Sequence, residues 1–394
     1  MSSYIKPYKT RRQQARSRRR KVMLFLFLII CVVLAFFAKN YLYITKPIIQ
    51  TADGKDVSFY IPTGSDYQYV KNELVNLNVL KSKNAFDWLA KKSHYNENIH
   101  PGRYILTDGM TNQQLVNMLR MGYQTPVKVV FNNMRTVEQL AGRISEQIEA
   151  DSTSIINEIN NNNDVDATTF IPNTYEFYWN TSADVFVAKM MAEHNRFWND
   201  TRLEKAKEKK LTPRQVSILA SIIDKETTKT SEMARIAGVY LNRLSKRWPL
   251  QADPTLVFAL GDYNIRRVLD VHKNIDSPYN TYKFAGLPPG PICIPSIAAI
   301  DAVLNAEKHN YFYFCAKDDL SGYHVFASNI TEHNRNAERY RKALNKNKIY
   351  KLKHSKHTTS EAFGVLTSTK KSPIESGIFC PMCYLQRHIL SVET

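Results

Sequence analysis

The longest unbroken apolar run in the chain, VMLFLFLIICVVLAFFA at residues 22–38, holds 17 residues between Lys21 and Lys39. That is the lower end of what crosses a bilayer as a helix, and Leu42, Tyr43 and Ile44 extend it, so a transmembrane anchor is expected over 22–44. Beyond it the pattern changes period. VSFYIPTG (57–64) alternates like a strand and ends in a turn, and YQYVKNELVNLNVL (67–80) takes helical spacing through Val70, Leu74 and Leu77. A second round follows, with PGRYIL (101–106) as a strand and TNQQLVNMLRMG (111–122) as a helix capped by Thr111 and closed by Gly122. These units predict a small α+β module over 50–125. PVKVVF (126–131) reads as a strand leading into a larger domain over 126–345, also α+β, in which Asn161–Asn163 mark a loop and FIPNTYEFYW (170–179) is rich in aromatics. Past residue 345, Lys, Ser and Thr without sustained periodicity suit a disordered tail, 346–394.

Within the larger domain the clearest element opens at Thr212-Pro213-Arg214-Gln215, a capping box with proline at the first helical position. The helix it starts has an apolar face of Val216, Leu219, Ala220 and Ile223, and it ends in two acids, Asp224 and Glu226. At about 100° per residue, Glu226 falls within about 20° of Leu219, on the apolar face, and Asp224 about 140° away, off it. A carboxyl on a buried stripe is desolvated, so its proton affinity rises. Asp224 has the ordinary role of a solvated or hydrogen-bonded acid. For Glu226 the pattern leaves two readings open: a buried ion pair with Arg235 or Arg243 of the next helix (232–244), whose buried face reads as Met233, Ile236, Ala237, Tyr240, Leu241 and Leu244, or a chemical group.

Charge narrows the functions to consider. Of the formal +18, residues 1–21 hold nine basic side chains and no acid, residues 341–394 hold a net +7, and the body between them is left with +2. The folded part has no global basic field, which argues against a nucleic-acid partner. The nine charges ahead of the apolar run place the N-terminus in the cytoplasm and everything after residue 45 outside it, in a single-pass inner-membrane protein. No small-residue cleavage site follows the run, so an uncleaved anchor is expected rather than a signal peptide. Of the five cysteines only Cys380 and Cys383 are paired by spacing, and one CPMC lacks the second ligand pair of a zinc site.

The downstream motifs occur in one order: ASIIDKET, IAGVYLNRL, PLQADPTLVFALG, DSPYNTYKFAGLPPGPI, YFYF, YHVF and EHN. Over about residues 57–345 the chain resembles the YceG-like (MltG) family of endolytic murein transglycosylases. The resemblance implies a membrane anchor, a LysM-like module and a catalytic domain that cuts peptidoglycan between N-acetylmuramic acid and N-acetylglucosamine, leaving 1,6-anhydro ends. It implies no metal and no cofactor, and it places the protein with the wall-synthesis machinery, penicillin-binding proteins included. The family's helix end reads Glu-Lys-Glu-Thr, and its second, catalytic Glu falls on Glu226; the first is Asp224 here. A second departure is LNA (304–306), where Asn followed by Pro is the family pattern, although Asn305 is kept.

The other motifs suit a glycan cleft. Gln251, Asp253 and Thr255 offer amide, carboxylate and hydroxyl groups to sugar hydroxyls, although Asp253-Pro254 also reads as a turn. Tyr279, Asn280, Thr281 and Tyr282 combine ring faces with polar tips, or else form a hydrogen-bonded loop. GLPPGPI (286–292) is expected to be a rigid loop that shapes the cleft, and His324 either a satisfied core residue or a contact behind the site residues. The resemblance puts Tyr282 and Asn305 near Glu226. Two rivals remain: a hydrolysing muramidase, which needs a paired carboxylate such as Asp253 or Glu176, and a non-catalytic, membrane-tethered wall-binding scaffold.

Overall fold

The computed structural model describes residues 11–265 and 268–357 and divides into two compact units, residues 1–127 with 176–181, and residues 128–175 with 182–394. The Cys380/Cys383 pair and the end of the tail lie outside the described residues.

In the first unit α1 (Arg11–Thr45) contains an apolar stretch, Arg18–Thr45, long enough to cross a membrane and with none of its most apolar window buried. The compact part is built in the order β1 (Val57–Ile61), α2 (Tyr67–Asn76), α3 (Lys83–Lys92), β2 (Gly102–Leu106) and α4 (Asn112–Met121). β1 and β2 pair antiparallel with Val57 opposite Leu106, and the inward residues Phe59, Ile61, Tyr104 and Leu106 meet Leu74, Phe86 and Leu115 of the helices. Each helix starts where a side chain satisfies an orphan backbone N–H: Asp66 for α2, Ser82 for α3, and a full Thr111–Gln114 capping box for α4. The sequence pattern leaves α3 unread, because KNAFDWLAKK carries too few apolar positions to show a period without knowledge of what covers Phe86.

The second unit is mostly helical. β3 (Val127–Phe131), in this unit from Lys128 on, pairs with β4 (Asn173–Phe177), in this unit up to Tyr175, and between them in sequence lie α5 (Val137–Ser145) and α6 (Ser152–Asn161). α7 (Ala183–Phe197), α8 (Asp200–Glu208), α9 (Pro213–Glu226), α10 (Thr230–Ser245), α11 (Asp253–Leu260) and α12 (Ile297–Leu304) follow. The antiparallel pair β5 (Tyr313–Ala316) and β6 (His324–Ala327) then leads into α13 (Ile330–His357), which continues past the tail boundary expected at residue 345. α9 is the centre of this unit. Its capping box and first-turn proline are formed as expected, but the helix has no solvated side from Val216 to Ile223. α8, α10, α11 and α12 surround it, so Ile218 and Ile222 are buried as fully as the stripe the sequence predicts. The two polar residues in that stretch, Ser217 and Ser221, are buried with it. Ser221 turns its hydroxyl to the Ile218 carbonyl and accepts the N–H of Ile292 at 3.0 Å, which lays the proline-rich loop along the helix.

α10 approaches the segment after α12 so closely that only glycine fits at position 238. An added Cβ there would lie 2.4 Å from the Glu307 carbonyl oxygen and 2.6 Å from His309 Nε2. Next to it Arg235 pairs with Glu307 at 2.8 Å, and Asn242 donates to the carbonyls of His309 and Tyr311. Gly238→Ala should therefore force the two segments apart and lower stability by about 1–3 kcal/mol despite its better helix propensity. Denaturant unfolding of the variant beside the parent chain measures that loss; an unchanged midpoint would show the seam to be loose.

Candidate active site

The end of α9 separates its two acids as 200° of helical turn requires. Asp224 faces the start of α12, where its two oxygens accept the Ser296 N–H at 2.9 Å and the Ser296 hydroxyl at 2.7 Å. Ser296 is itself the cap of α12, its hydroxyl also accepting the Ala299 N–H. Asp224 is thus a brace between two helix ends. Glu226 turns the other way, under α10, and is 3% exposed.

The partner on Glu226 Oε1 is Tyr240, whose hydroxyl donates at 2.6 Å. Oε2 is buried and has no hydrogen-bond partner among the described residues. Burial raises the Glu226 carboxyl to about 8, with the Asp253 charge adding to the rise and the Tyr240 hydrogen bond and Arg243 charge opposing it. The ion pair that the sequence allowed is not the role of Arg235, which holds Glu307. Arg243 is 2% exposed and donates to the carbonyls of Phe312, Pro249 and Leu250 and to Gln251 Oε1. It works as a clamp joining α10, β5 and the segment before α11, and its field reaches Glu226 as the last of the four influences.

That segment brings the second carboxyl. Gln251 adopts left-handed backbone (φ +51°) with its N–H on the Thr281 carbonyl, and this sharp turn sets Asp253 at the first position of α11. The Tyr282 hydroxyl donates to Asp253 Oδ1. Burial pushes the Asp253 carboxyl up to about 6 against the pull of the Tyr282 hydrogen bond and the Lys273 and His272 charges. The loop around Tyr282 is held from inside. Asn280 donates to the Lys273 and Ile275 carbonyls and accepts the Tyr282 N–H, while Thr255 and Thr281 share a hydroxyl–hydroxyl bond of 2.8 Å. Asn280, Thr281 and Thr255 are all buried, with these groups engaged in the loop itself. Tyr279 packs its ring on Phe258 at 4.7 Å.

Of the other candidates, Asn305 lies at the far end of α12 from Ser296 and Asp224, not near Glu226 as the resemblance implies. Asn305 ends α12, where it accepts Lys205 Nζ and donates to the Asp301 carbonyl, both at 2.7 Å. Glu176 is exposed on β4. His324 is a core residue: Nδ1 lies 3.0 Å from Glu232 Oε2, and its backbone N–H also meets that carboxylate. Sequence reading places Tyr240 among the apolar residues of α10 and misses its contact with Glu226. The signal was present, since a tyrosine on a buried helical face must find a partner for its hydroxyl.

Such an arrangement can donate a proton: one carboxyl with its proton affinity raised by burial, one oxygen fixed by a tyrosine and the other without a partner among the described residues. Among the described residues no group of three or more His, Cys, Asp or Glu side chains is placed to hold a metal ion. The raised proton affinity also has a stability consequence. In the unfolded chain Glu226 ionises near its ordinary 4.5, whereas the folded chain keeps the proton until about 8. Between those values the unfolded state binds fewer protons, so stability falls as pH rises, by at most about 1.4 kcal/mol per unit. Glu226→Gln should remove this dependence. The variant should unfold at higher denaturant than the parent at pH 8, with the difference closing toward pH 4; parallel curves across that range would mean that Glu226 is not held neutral.

The YceG-like family model matches residues 59–339 of the chain. An endolytic murein transglycosylase of Bacillus subtilis is 30% identical over 310 residues, covering 72% of this chain and 84% of that protein. Another from Streptococcus pneumoniae is 29% identical over 369 residues, covering 82% of this chain and 66% of that protein, just under two thirds of its length. A crystal structure of a YceG-like protein from Listeria monocytogenes aligns with 71% of this chain and 98% of its own at 27% identity and a TM-score of 0.48.

Proposed function

The chain belongs to the YceG-like family, and we propose that it is an endolytic murein transglycosylase in which Glu226 is the catalytic residue. The observation that carries the assignment of Glu226 is its buried carboxyl, hydrogen-bonded to Tyr240 through one oxygen and unpartnered among the described residues at the other, where burial raises its proton affinity. Because Tyr240 donates to Oε1, the acidic proton resides on Oε2. Glu226 passes it to the oxygen that links N-acetylmuramic acid to N-acetylglucosamine, and the C1–O bond breaks with positive charge developing at C1. The resulting carboxylate then takes the proton of the muramic C6 hydroxyl, whose oxygen bonds to C1 and closes the 1,6-anhydro ring. One residue gives and recovers the proton, and no water is consumed. Oε2 is covered in this structure, so substrate entry displaces part of the cover.

Position supports roles for the remaining groups. Asn280, Thr281 and Thr255 shape the loop that carries Tyr279 and Tyr282, whose rings suit pyranose faces. Gln251 and Asp253 lie on the turn beside it. Asn305 supports α12 through Lys205. The order of strand, two helices and strand over residues 57–106 supports a LysM-like, glycan-binding module in the first unit. The nine N-terminal charges orient α1 with both units outside the cytoplasm, where peptidoglycan and the enzymes that polymerise it are found.

Cleavage of purified peptidoglycan in water enriched with heavy oxygen tests the reading directly. The products should end in 1,6-anhydromuramic acid without solvent oxygen; reducing muramic ends carrying the label would assign a hydrolase, with Asp253 as its second carboxylate. Glu226→Gln should reduce cleavage at least about 100-fold, the low end for a positioned acid–base group, with glycan binding retained. Asp224→Asn keeps one acceptor for Ser296 and should lose far less. An active Glu226→Gln protein would place the chemistry elsewhere.

A further inference from the structure

Near the start of α9 lies a cavity that the reading of Glu226 does not use. It encloses about 370 Å³, within the range that takes a small ligand. Arg214 from α9, Asp164 and Thr169 from the segment between α6 and β4, and Met191, His194 and Asn195 from α7 line it. Burial lowers the proton affinity of His194, so its imidazole is neutral near neutral pH and the charged groups of the wall are Arg214 and Asp164. Behind the wall, Asp166 Oδ2 receives Arg214 Nε at 3.0 Å and Nη2 at 2.8 Å. That pairing fixes the guanidinium and leaves Nη1 to donate elsewhere. Thr169 accepts the Asp166 N–H and keeps its own hydroxyl proton to give.

The cavity is tied to the candidate site by direct contacts. Arg214 and Glu226 stand at opposite ends of α9, about 18 Å apart at the helical rise per residue. The proline-rich loop follows the helix over that length. A Cβ added at Gly290 would lie 3.9 Å from Arg214 Nη2 and 2.7 Å from the Tyr279 hydroxyl, Ile292 donates to Ser221, and Ser296 donates to Asp224. Arg214 and Tyr279 thus share Gly290 as a neighbour, and the cavity adjoins the loop that carries Tyr279 and Tyr282.

We propose that this cavity is a subsite for the peptide stem carried by the muramic acid at the cut, with Arg214 taking a stem carboxylate and Asp164 the amine of the diamino residue. The proposal rests on the transglycosylase reading and deepens it, because it makes peptide-bearing strands the preferred substrate over bare glycan. The chemistry of the wall selects the occupant. The sugars of a strand are uncharged once each muramic carboxyl carries its peptide, so a wall with one fixed cation and one anion has nothing to match in them. A stem peptide carries both signs, and the Arg214 fork suits a carboxylate. Length agrees as well: an extended pentapeptide spans about 17 Å, so a stem attached at Glu226 reaches the other end of α9.

Two substitutions at exposed positions separate this role from folding. Arg214→Gln removes the charged donor and should raise KM for peptide-bearing strands about tenfold, the lower end for a hydrogen bond to a charged group. Asn195→Trp fills the cavity from its rim and should act in the same direction without touching Arg214. Neither should change kcat or the cleavage of strands that carry no peptide. Arg214→Lys keeps the charge but loses the fork and should recover part of the KM. A merely structural role for either residue would impair both kinds of strand together.

The test compares two substrates with the full-length chain in detergent: uncross-linked glycan strands bearing their stem peptides, and the same strands stripped of them by an amidase. The parent should show the lower KM on peptide-bearing strands, and both variants should bring that KM to the stripped value. Equal KM values for the two substrates in the parent, or equal changes on both in the variants, overturn the proposal. Isothermal titration of the same strands into Glu226→Gln, with and without Asn195→Trp, repeats the comparison without turnover. The chemistry of the product ends is read separately: reducing muramic ends would refute the transglycosylase reading and leave the measured peptide preference as it stands.

Discussion

A single hydrogen bond, from Tyr240 to Glu226, decides how the larger unit can be assembled. A carboxyl at the end of a helix with no solvated side is tolerable only if it stays neutral or finds a donor, and here it does both. The donor has to come from α10 at one particular rotation. With Tyr240 turned inward, Ile236 and Ala237 one turn earlier on α10 enter the core beside α9, and Arg243 one turn later reaches the carbonyls of Phe312 and Leu250. The site and the core therefore share one registration. The helix that buries the acid also supplies its donor.

Arg243 extends that registration to the rest of the unit. Its guanidinium caps carbonyls of two segments that otherwise end in irregular backbone, and it does so almost fully buried. Such a cation near a buried acid would suggest a structural ion pair, which would leave Glu226 ionised and useless as a proton donor. The geometry avoids this by aiming the guanidinium at peptide oxygens. Glu226 then receives a neutral donor, and the nearby Asp253 charge reinforces its neutrality. Discrimination between a salt bridge and an acid thus depends on where five N–H groups point, a property no spacing rule contains.

How much was legible follows from the same distinction. Helical periodicity places Glu226 on the buried stripe and Asp224 off it, and the capping box at Thr212 marks the start of α9, because both depend on neighbours within a few residues. The burial of Ile222 was not legible, since the core it enters is shared with Ile292 of the proline-rich loop and with Ala299, Ile300 and Val303 of α12, all more than 60 residues away in the chain. The polar motifs are instructive in the opposite direction. Asn280, Thr281 and Thr255 look like sugar-binding groups in the sequence, but a polar residue in a Pro- and Gly-rich loop also has backbone to satisfy, and in this fold that demand takes their hydrogen bonds. Tyr240 was hidden by its own hydrophobicity, which made it an adequate core residue without reference to its hydroxyl.

The two acids of the opening helix show how one turn of sequence can serve stability and chemistry separately. Their spacing by two residues is the worst possible for sharing a face and therefore the best for separating roles. Asp224 faces a helix start, where exposed N–H groups and a serine hydroxyl stabilise a carboxylate, so its charge is an asset to the fold. Glu226 faces side chains that give it one neutral donor and little solvent, so its charge would be a burden. The stability forgone at Glu226 goes with a proton kept at neutral pH, the property that the proposed chemistry requires. Asp224, braced on Ser296, fixes the helix end that carries it.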